Sequence, residues 1–143
     1  MTGPAAPSRR YPCHLAVEAT LRDTDGVGHV NNGVYVSWLE EVRTRYVFDA
    51  RGLRGIEDLD FVVASTRIEY RSPVLLHETL DLWCGPSRVG NRSWELVYEG
   101  RARADGRLVV EASTVQVQYD YRERRTAPLP DAWRNRLEED LIR

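Results

Sequence analysis

The residue types that could do chemistry in this chain crowd into one turn: Asp23-Thr24-Asp25-Gly26-Val27-Gly28-His29-Val30-Asn31-Asn32-Gly33. Two carboxylates, three glycines, a histidine and two adjacent amides lie between a strand-like run and a helix-like run. Polar turns held between rigid elements are where scaffolds tend to carry function. Calcium is the first chemistry to test. An EF-hand loop begun at Asp23 needs a ligand at its fifth position and Glu at its twelfth, and those are Val27 and Val34. A transition-metal site is no better served, because His14 and His77 belong to other elements and no H-E-x-x-H or cysteine cluster is present. No P-loop, G-x-G-x-x-G or G-x-S-x-G occurs, so neither a nucleotide cradle nor a serine nucleophile is indicated. What remains is a carboxylate beside a helix start. The first backbone N–H groups of a helix lack partners and carry partial positive charge. They can hold a carbonyl oxygen as it becomes an oxyanion, while a nearby carboxylate attacks the carbonyl or activates water. The alternative is structural: Asp23 or Asp25 closes an Asx-turn and does nothing more.

The flanking elements follow from periodicity. Residues 13–22 alternate, with Leu15, Val17, Ala19 and Leu21 on one face, which predicts a half-buried strand. Asn31 or Asn32 is a candidate N-cap for a helix over 33–50. In that helix Tyr35, Leu39, Val42 and Tyr46 form one apolar stripe, and Val36, Trp38, Val47 and Phe48 widen it. Glu40, Glu41, Arg43, Arg45 and Asp49 are assigned to the other sides. So apolar a helix must be largely buried, as by a curved sheet. A loop over 51–60 precedes strand candidates at 61–71, 78–85, 93–104 and 108–119, with a hairpin signal at Asp105-Gly106. The short connections predict an antiparallel meander. Asp131, read as N-cap-like, opens an amphipathic stretch to Arg143 with Leu137 and Leu141 on one side, a C-terminal helix. The plan is α+β, one buried helix against one five-stranded antiparallel sheet.

Bulk properties narrow the function classes. The 143 residues suit one domain, here residues 11–143 behind a leader (1–10) expected to be disordered. Net charge is −2, which makes no strong electrostatic appeal to nucleic acid or an acidic membrane. All 20 basic residues are Arg. Cys13 and Cys84 sit alone in apolar runs and are read as reduced core residues. No apolar run approaches the ~20 residues of a membrane span, and the leader lacks an apolar targeting region, so a cytoplasmic location is expected.

The pattern Asp23-x-Asp25-x-x-Gly28-His29-Val30-Asn31-Asn32-x-x-Tyr35, followed by Trp38-Leu39-Glu40-Glu41-x-Arg43, resembles the signature of the hotdog-fold acyl-CoA thioesterases grouped around 4-hydroxybenzoyl-CoA thioesterase. Ile68-Glu69-Tyr70-Arg71-Ser72-Pro73-Val74 and Arg92-Ser93-Trp94 resemble later segments of that family, so the likeness spans roughly 13–120. The resemblance implies a hotdog fold and hydrolysis of an acyl-CoA or acyl-carrier-protein thioester without a cofactor or metal. It makes Asp25 the catalytic carboxylate, as nucleophile or general base. It places the oxyanion hole at the backbone N–H groups near Asn32 and Gly33. His29 and Asn31 become candidates for orienting thioester or water, His29 with an equal alternative as a packing residue. Thr66 is a candidate for the acyl pocket, and Arg88 and Arg92 for the phosphates of coenzyme A, against their being solvated hairpin charges. Gly-His-Val-Asn-Asn departs from the founding benzoyl-type enzymes, which puts aromatic acyl specificity in doubt. The resemblance also implies a homodimer or homotetramer with the site at the dimer interface, consistent with sheet edges that need covering. Two competing readings are a hotdog hydroxyacyl dehydratase and a protein that binds acyl thioesters without turning them over.

Overall fold

A computed structural model of the chain describes residues 3–143. Strand β1 (Cys13–Glu18) leads through a 3-10 turn (Leu21–Asp23) and a polar loop into helix α1 (Asn32–Arg51). A second 3-10 turn (Ile56–Asp58) precedes strands β2 (Phe61–Tyr70), β3 (Thr79–Val89), β4 (Ser93–Ala102) and β5 (Leu108–Asp120). A two-residue strand, β6 (Arg125–Thr126), and helix α2 (Asp131–Glu139) complete the chain. The five long strands form one antiparallel sheet in the order β1-β3-β4-β5-β2, with β6 paired to β5.

Helix α1 forms where the 3.6-residue period requires it. Its buried residues are Tyr35, Trp38, Leu39, Val42, Arg43, Tyr46 and Val47. They pack on Leu80, Leu82, Cys84, Trp94, Leu96, Tyr98 and Val110 from the sheet's inner face. Gly52 ends the helix at φ +65°, a left-handed conformation natural to glycine. One residue departs from expectation: Arg43 is buried, because its position on the helical wheel falls between Leu39 and Val47. Val36, assigned to the apolar surface, is exposed.

Other boundaries shift for physical reasons. β1 stops at Glu18, and Leu21 lies exposed in the 3-10 turn. β3 runs through Gly85-Pro86 to Val89; a register shift between Pro86 and Arg88 absorbs the proline. α2 ends at Glu139 with Pro130 at its N-cap, so Asp131 is its first helical residue, not its cap. The meander holds for β3, β4 and β5 only. β2 pairs with β5, while β3's other neighbour is β1. The eight residues from 71 to 78 can reach about 26 Å, ample to cross the three strand spacings, about 14 Å, from β2 to β3.

Of the leader, residues 1–2 lie outside the described residues, and Ala5 and Ser8 make defined contacts with the sheet, as does Tyr11 just after it. Ala5 N–H donates to Asp81 Oδ2 (2.9 Å), Ser8 N–H and Oγ–H donate to Glu99, and Tyr11 Oη–H donates to Glu99 Oε1 (3.0 Å). Asp81 alternates with inward-facing Leu80 and Leu82, so this segment lies along the sheet's outer face. Cys13 and Cys84 are directly opposed across β1 and β3, both buried and unbonded. Burial raises both thiols above their ordinary range, Cys13 to about 11. Among the described residues, no helix is long and apolar enough to cross a membrane.

Candidate active site

The loop before α1 is held by its backbone. Asp25 N–H donates to the carbonyl of His29 (2.8 Å), Asn31 N–H to that of Asp23 (2.8 Å), and Val30 N–H to that of Val74 (3.0 Å). Val30 is buried and anchors the loop to the core. Gly28 supplies the positive φ, +84°, that the tight return needs.

The two aspartates are thereby separated in role. Asp23 closes a capping box: its Oδ2 accepts from Thr20 N–H (2.8 Å) and Thr20 Oγ–H (2.9 Å). Asp25 accepts one hydrogen bond, from Val27 N–H to Oδ1 (2.9 Å). The Asx-turn is therefore present at Asp25, yet it uses one carboxylate oxygen. Oδ2 of Asp25 bonds to none of the described residues.

The helix start shows a similar division. Asn31 is the N-cap, and its side-chain oxygen accepts from Gly33 N–H (2.9 Å). Val34 N–H donates to the Asn31 carbonyl (2.9 Å). Gly33 N–H is thus engaged, whereas Asn32 N–H meets no acceptor among the described residues. Tyr70, from the end of β2, donates through its hydroxyl to the Asn32 carbonyl (3.0 Å) and packs edge-on against Tyr35 at 5.1 Å. Burial raises the Tyr35 phenol, which stays neutral near pH 7.

Asp25, His29, Asn32, Tyr35, Tyr70, Arg71, Ser72 and Pro73 border one cavity of about 310 Å³. His29 is exposed there, its ring unbonded to any described residue. Arg71 brings positive charge but is shared with acids: its Nε donates to Glu111 (2.8 Å), and an Nη donates to Glu69. The 73–78 wall is braced by Arg107, which donates to the Pro73 carbonyl (2.8 Å) and pairs with Glu78. That hydrogen bond from Arg107 holds the Glu78 carboxyl below the ordinary carboxylate range.

Among the anticipated residues, Asp25, His29 and Asn32 meet at the cavity, with Asn31 and Gly33 bonded to each other beside it. Thr66 does not line it; four residues before Tyr70, it lies roughly 13 Å along β2. Arg88 and Arg92 flank the β3–β4 turn. Thr79, at the site end of β3, is nine residues from Arg88, roughly 30 Å. Arg92 Nη1 donates to the Thr126 carbonyl (2.9 Å), a tie to β6. Sequence spacing does not place Tyr70, Arg71, Ser72 and Pro73 at the site, where the fold brings them. The signal available was a strand-end tyrosine before Ser-Pro, a stop that turns the chain back over the helix start.

Residues 19–137 match the model of the thioesterase-like superfamily. The chain belongs to that superfamily. It is 26% identical to the long-chain acyl-CoA thioesterase FadM of Escherichia coli (strain K12) over 113 residues, 78% of this chain and 86% of that one. It is 30% identical to the uncharacterized protein YsmA of Bacillus subtilis (strain 168) over 102 residues, 71% of this chain and 69% of the other. Among solved structures, a thioesterase of Thermus thermophilus complexed with coenzyme A and zinc superposes at a TM-score of 0.81, with 31% identity, over 90% of this chain and 93% of that one. The single long helix against a curled antiparallel sheet is the hotdog fold, and the chain is an enzyme of the thioesterase class.

Proposed function

We propose that the chain hydrolyses acyl-CoA thioesters at the cavity beside the start of α1, with Asp25 as the catalytic carboxylate. The observation that carries this reading is the pairing, on one cavity, of a carboxylate with a free oxygen and a helix-start N–H with no acceptor. Asn32 N–H receives the thioester carbonyl oxygen and stabilises the negative charge that develops on it. Gly33 supports this from behind, its own N–H being held by the cap. With Asp25 as general base, a water loses its proton to Oδ2 and its oxygen bonds to the carbonyl carbon. The C–S bond then breaks, and the thiolate takes up the proton. With Asp25 as nucleophile, the same oxygen bonds to the carbonyl carbon, the C–S bond breaks to release the thiolate, and a water hydrolyses the resulting anhydride, regenerating the Asp25 carboxylate as its proton passes to the thiolate. His29, exposed at the same cavity, orients the water or thioester.

A second protomer completes the reading. The central residues of β2, Val63 to Arg67, are exposed along a strand whose one sheet neighbour among the described residues is β5. Such an edge accepts another strand readily, and a homodimer joined there puts a second subunit beside the cavity. Arg88 and Arg92, remote from Asp25 in one protomer, reach coenzyme phosphates only from a neighbouring subunit. The reduced, buried cysteines fit a cytoplasmic setting.

The test is thiol release from short, medium, long-chain and aryl acyl-CoA thioesters, with wild type beside Asp25→Asn. Turnover that falls at least ~10²-fold in the variant supports the assignment. Turnover that survives overturns it, and activity towards acyl-carrier-protein thioesters alone would reassign the thiol carrier.

A further inference from the structure

The flank of α1 opposite its β1 contacts opens into a groove of about 690 Å³, separate from the cavity at Asp25. Leu59, Phe61, Val62 and Val63 give it an apolar wall; Arg43 and Glu40 border it from the helix and Glu57 from the loop, so Arg43 is the groove's cation beside two acids. Arg43 is the unusual member. It is 8% exposed, yet its nearest carboxylate is Glu40 at 3.7 Å, itself largely in solvent. Among the described residues its one hydrogen bond runs from Nη1 to the Tyr98 hydroxyl at 3.4 Å, at the long limit. Tyr98 is already engaged with Thr114 Oγ1 (2.7 Å), which pairs across the sheet with Thr66. A guanidinium carries five donors and cannot lose its charge. Buried charges are normally paired closely, since removing them from water costs several kcal/mol. This one is left with most of its donors unfilled, and it borders a groove large enough for an acyl group.

We propose that the groove receives an acyl group bearing a carboxylate remote from the thioester, with Arg43 as its counter-cation. The inference rests on the hydrolase reading for the position of the thioester. Arginine only donates, so the recognised group must be an acceptor, and a carboxylate matches its two-pronged geometry. The apolar wall takes the intervening methylenes. Eleven residues separate Arg43 from Asn32, roughly 16 Å along the helix. That is the span required if both ends of the substrate sit on one protomer. A second copy paired antiparallel along β2 brings its own site end towards Phe61 and shortens the span. The preferred chain length therefore reports which arrangement operates.

The experiment compares matched thioesters that differ only at the far end: adipoyl- with hexanoyl-CoA, suberoyl- with octanoyl-CoA, and dodecanedioyl- with dodecanoyl-CoA. Both kcat/KM and calorimetric affinity are measured for wild type, Arg43→Gln and Arg43→Lys. Wild type should favour the carboxylate-ended member of at least one pair by about tenfold or more. Arg43→Gln should lower that ratio by about 10- to 100-fold, the scale of one charge-assisted hydrogen bond. Arg43→Lys should restore part of it. A wild-type preference for the methyl-ended member throughout overturns the proposal, as does a ratio unmoved by Arg43→Gln. If that variant dissociates an oligomer while the ratio stays fixed, Arg43 pairs with another subunit and the proposal fails. If no thioester is hydrolysed, the affinity ratio still decides this site while the hydrolase reading falls. If Arg43→Gln does not fold, the wild-type preference and Arg43→Lys decide.

Discussion

Carboxylates occur in two opposite settings in this molecule. On the sheet's outer face, Asp81 and Glu99 are buried and saturated. Asp81 accepts from Arg103 (2.7 Å), His14 Nε2 lies 2.7 Å away, and the Ala5 backbone donates to it. Glu99 accepts from Ser8, Tyr11 and Arg101. Burial alone would raise both carboxyls, but these donors outweigh it and hold both below their ordinary range. At the turn before α1, Asp25 is exposed, accepts one hydrogen bond and keeps an oxygen free. A saturated carboxylate holds structure and has nothing left for a substrate. A partly satisfied one on a rigid loop can do chemistry, and its vicinity holds another unfilled group, Asn32 N–H. Substitutions at the two settings should therefore separate activity from stability.

The largest expected effect is at the turn. Asp25→Asn keeps an oxygen to accept from Val27 N–H, so the Asx-turn and the thermal midpoint should hold within roughly 2 °C. Turnover should drop ~10²-fold or more, as when a positioned acid, base or nucleophile is removed. Asp81→Ala should do the reverse. It strands Arg103, His14 and the Ala5 N–H, which costs about 3 kcal/mol, as when one partner of a buried pair is deleted. The midpoint should drop by roughly 10 °C, with turnover per folded molecule little changed. Equal losses of activity in both variants would erase the distinction.

Acid sharpens the same contrast. Asp81 and Glu99 have folded-state values below their unfolded ones, near 3.9 for Asp and 4.3 for Glu. Their contribution is present above those values and is lost as pH falls through the lower folded ones. Thermal midpoints should be nearly level above about pH 5 and decline below about pH 4. Asp81→Asn with Glu99→Gln should start lower and decline less. An undiminished decline in the double variant would place the acid-sensitive groups elsewhere.

Much of this was legible in the sequence, and the remainder for identifiable reasons was not. Helix α1 and strands such as β1 and β4 follow from periods of 3.6 and 2, because burial enforces them, whereas β2, exposed along its centre, is marked by its β-branched and aromatic residues instead. The crossing of β2 to the far edge is invisible to periodicity, since a strand's pattern records burial and not its neighbour. Charge alone sets Arg43 outside the helix stripe, whereas the helical wheel puts it inside. The leader reads as disorder from its Pro, Ala and Ser content, but Ala5 N–H and Ser8 N–H are claimed by carboxylates 76 and 91 residues away. At the turn, spacing could not say which aspartate was occupied. That depended on Thr20 reaching Asp23, and on Asn31 taking Gly33 rather than facing substrate.

The smallest expected effect tests that last point. The sequence makes Asn31 a candidate for orienting substrate, and in the folded chain its side chain caps Gly33. Asn31→Ala removes the cap, which costs about 1 kcal/mol and roughly 4 °C in midpoint. It also releases Gly33 N–H beside the cavity. If Asn32 N–H alone receives the carbonyl oxygen, kcat should change less than about threefold, because a cap stabilises ground and transition states alike. A fall in kcat near ~10²-fold would mean that the amide meets the reacting atoms after all, since losing one oxyanion-hole donor is of that size. A rise in kcat would identify Gly33 N–H as a second donor that the cap withholds. Asn31→Asp separates these outcomes further: it keeps an acceptor for Gly33, removes the amide's own donors, and should restore the midpoint.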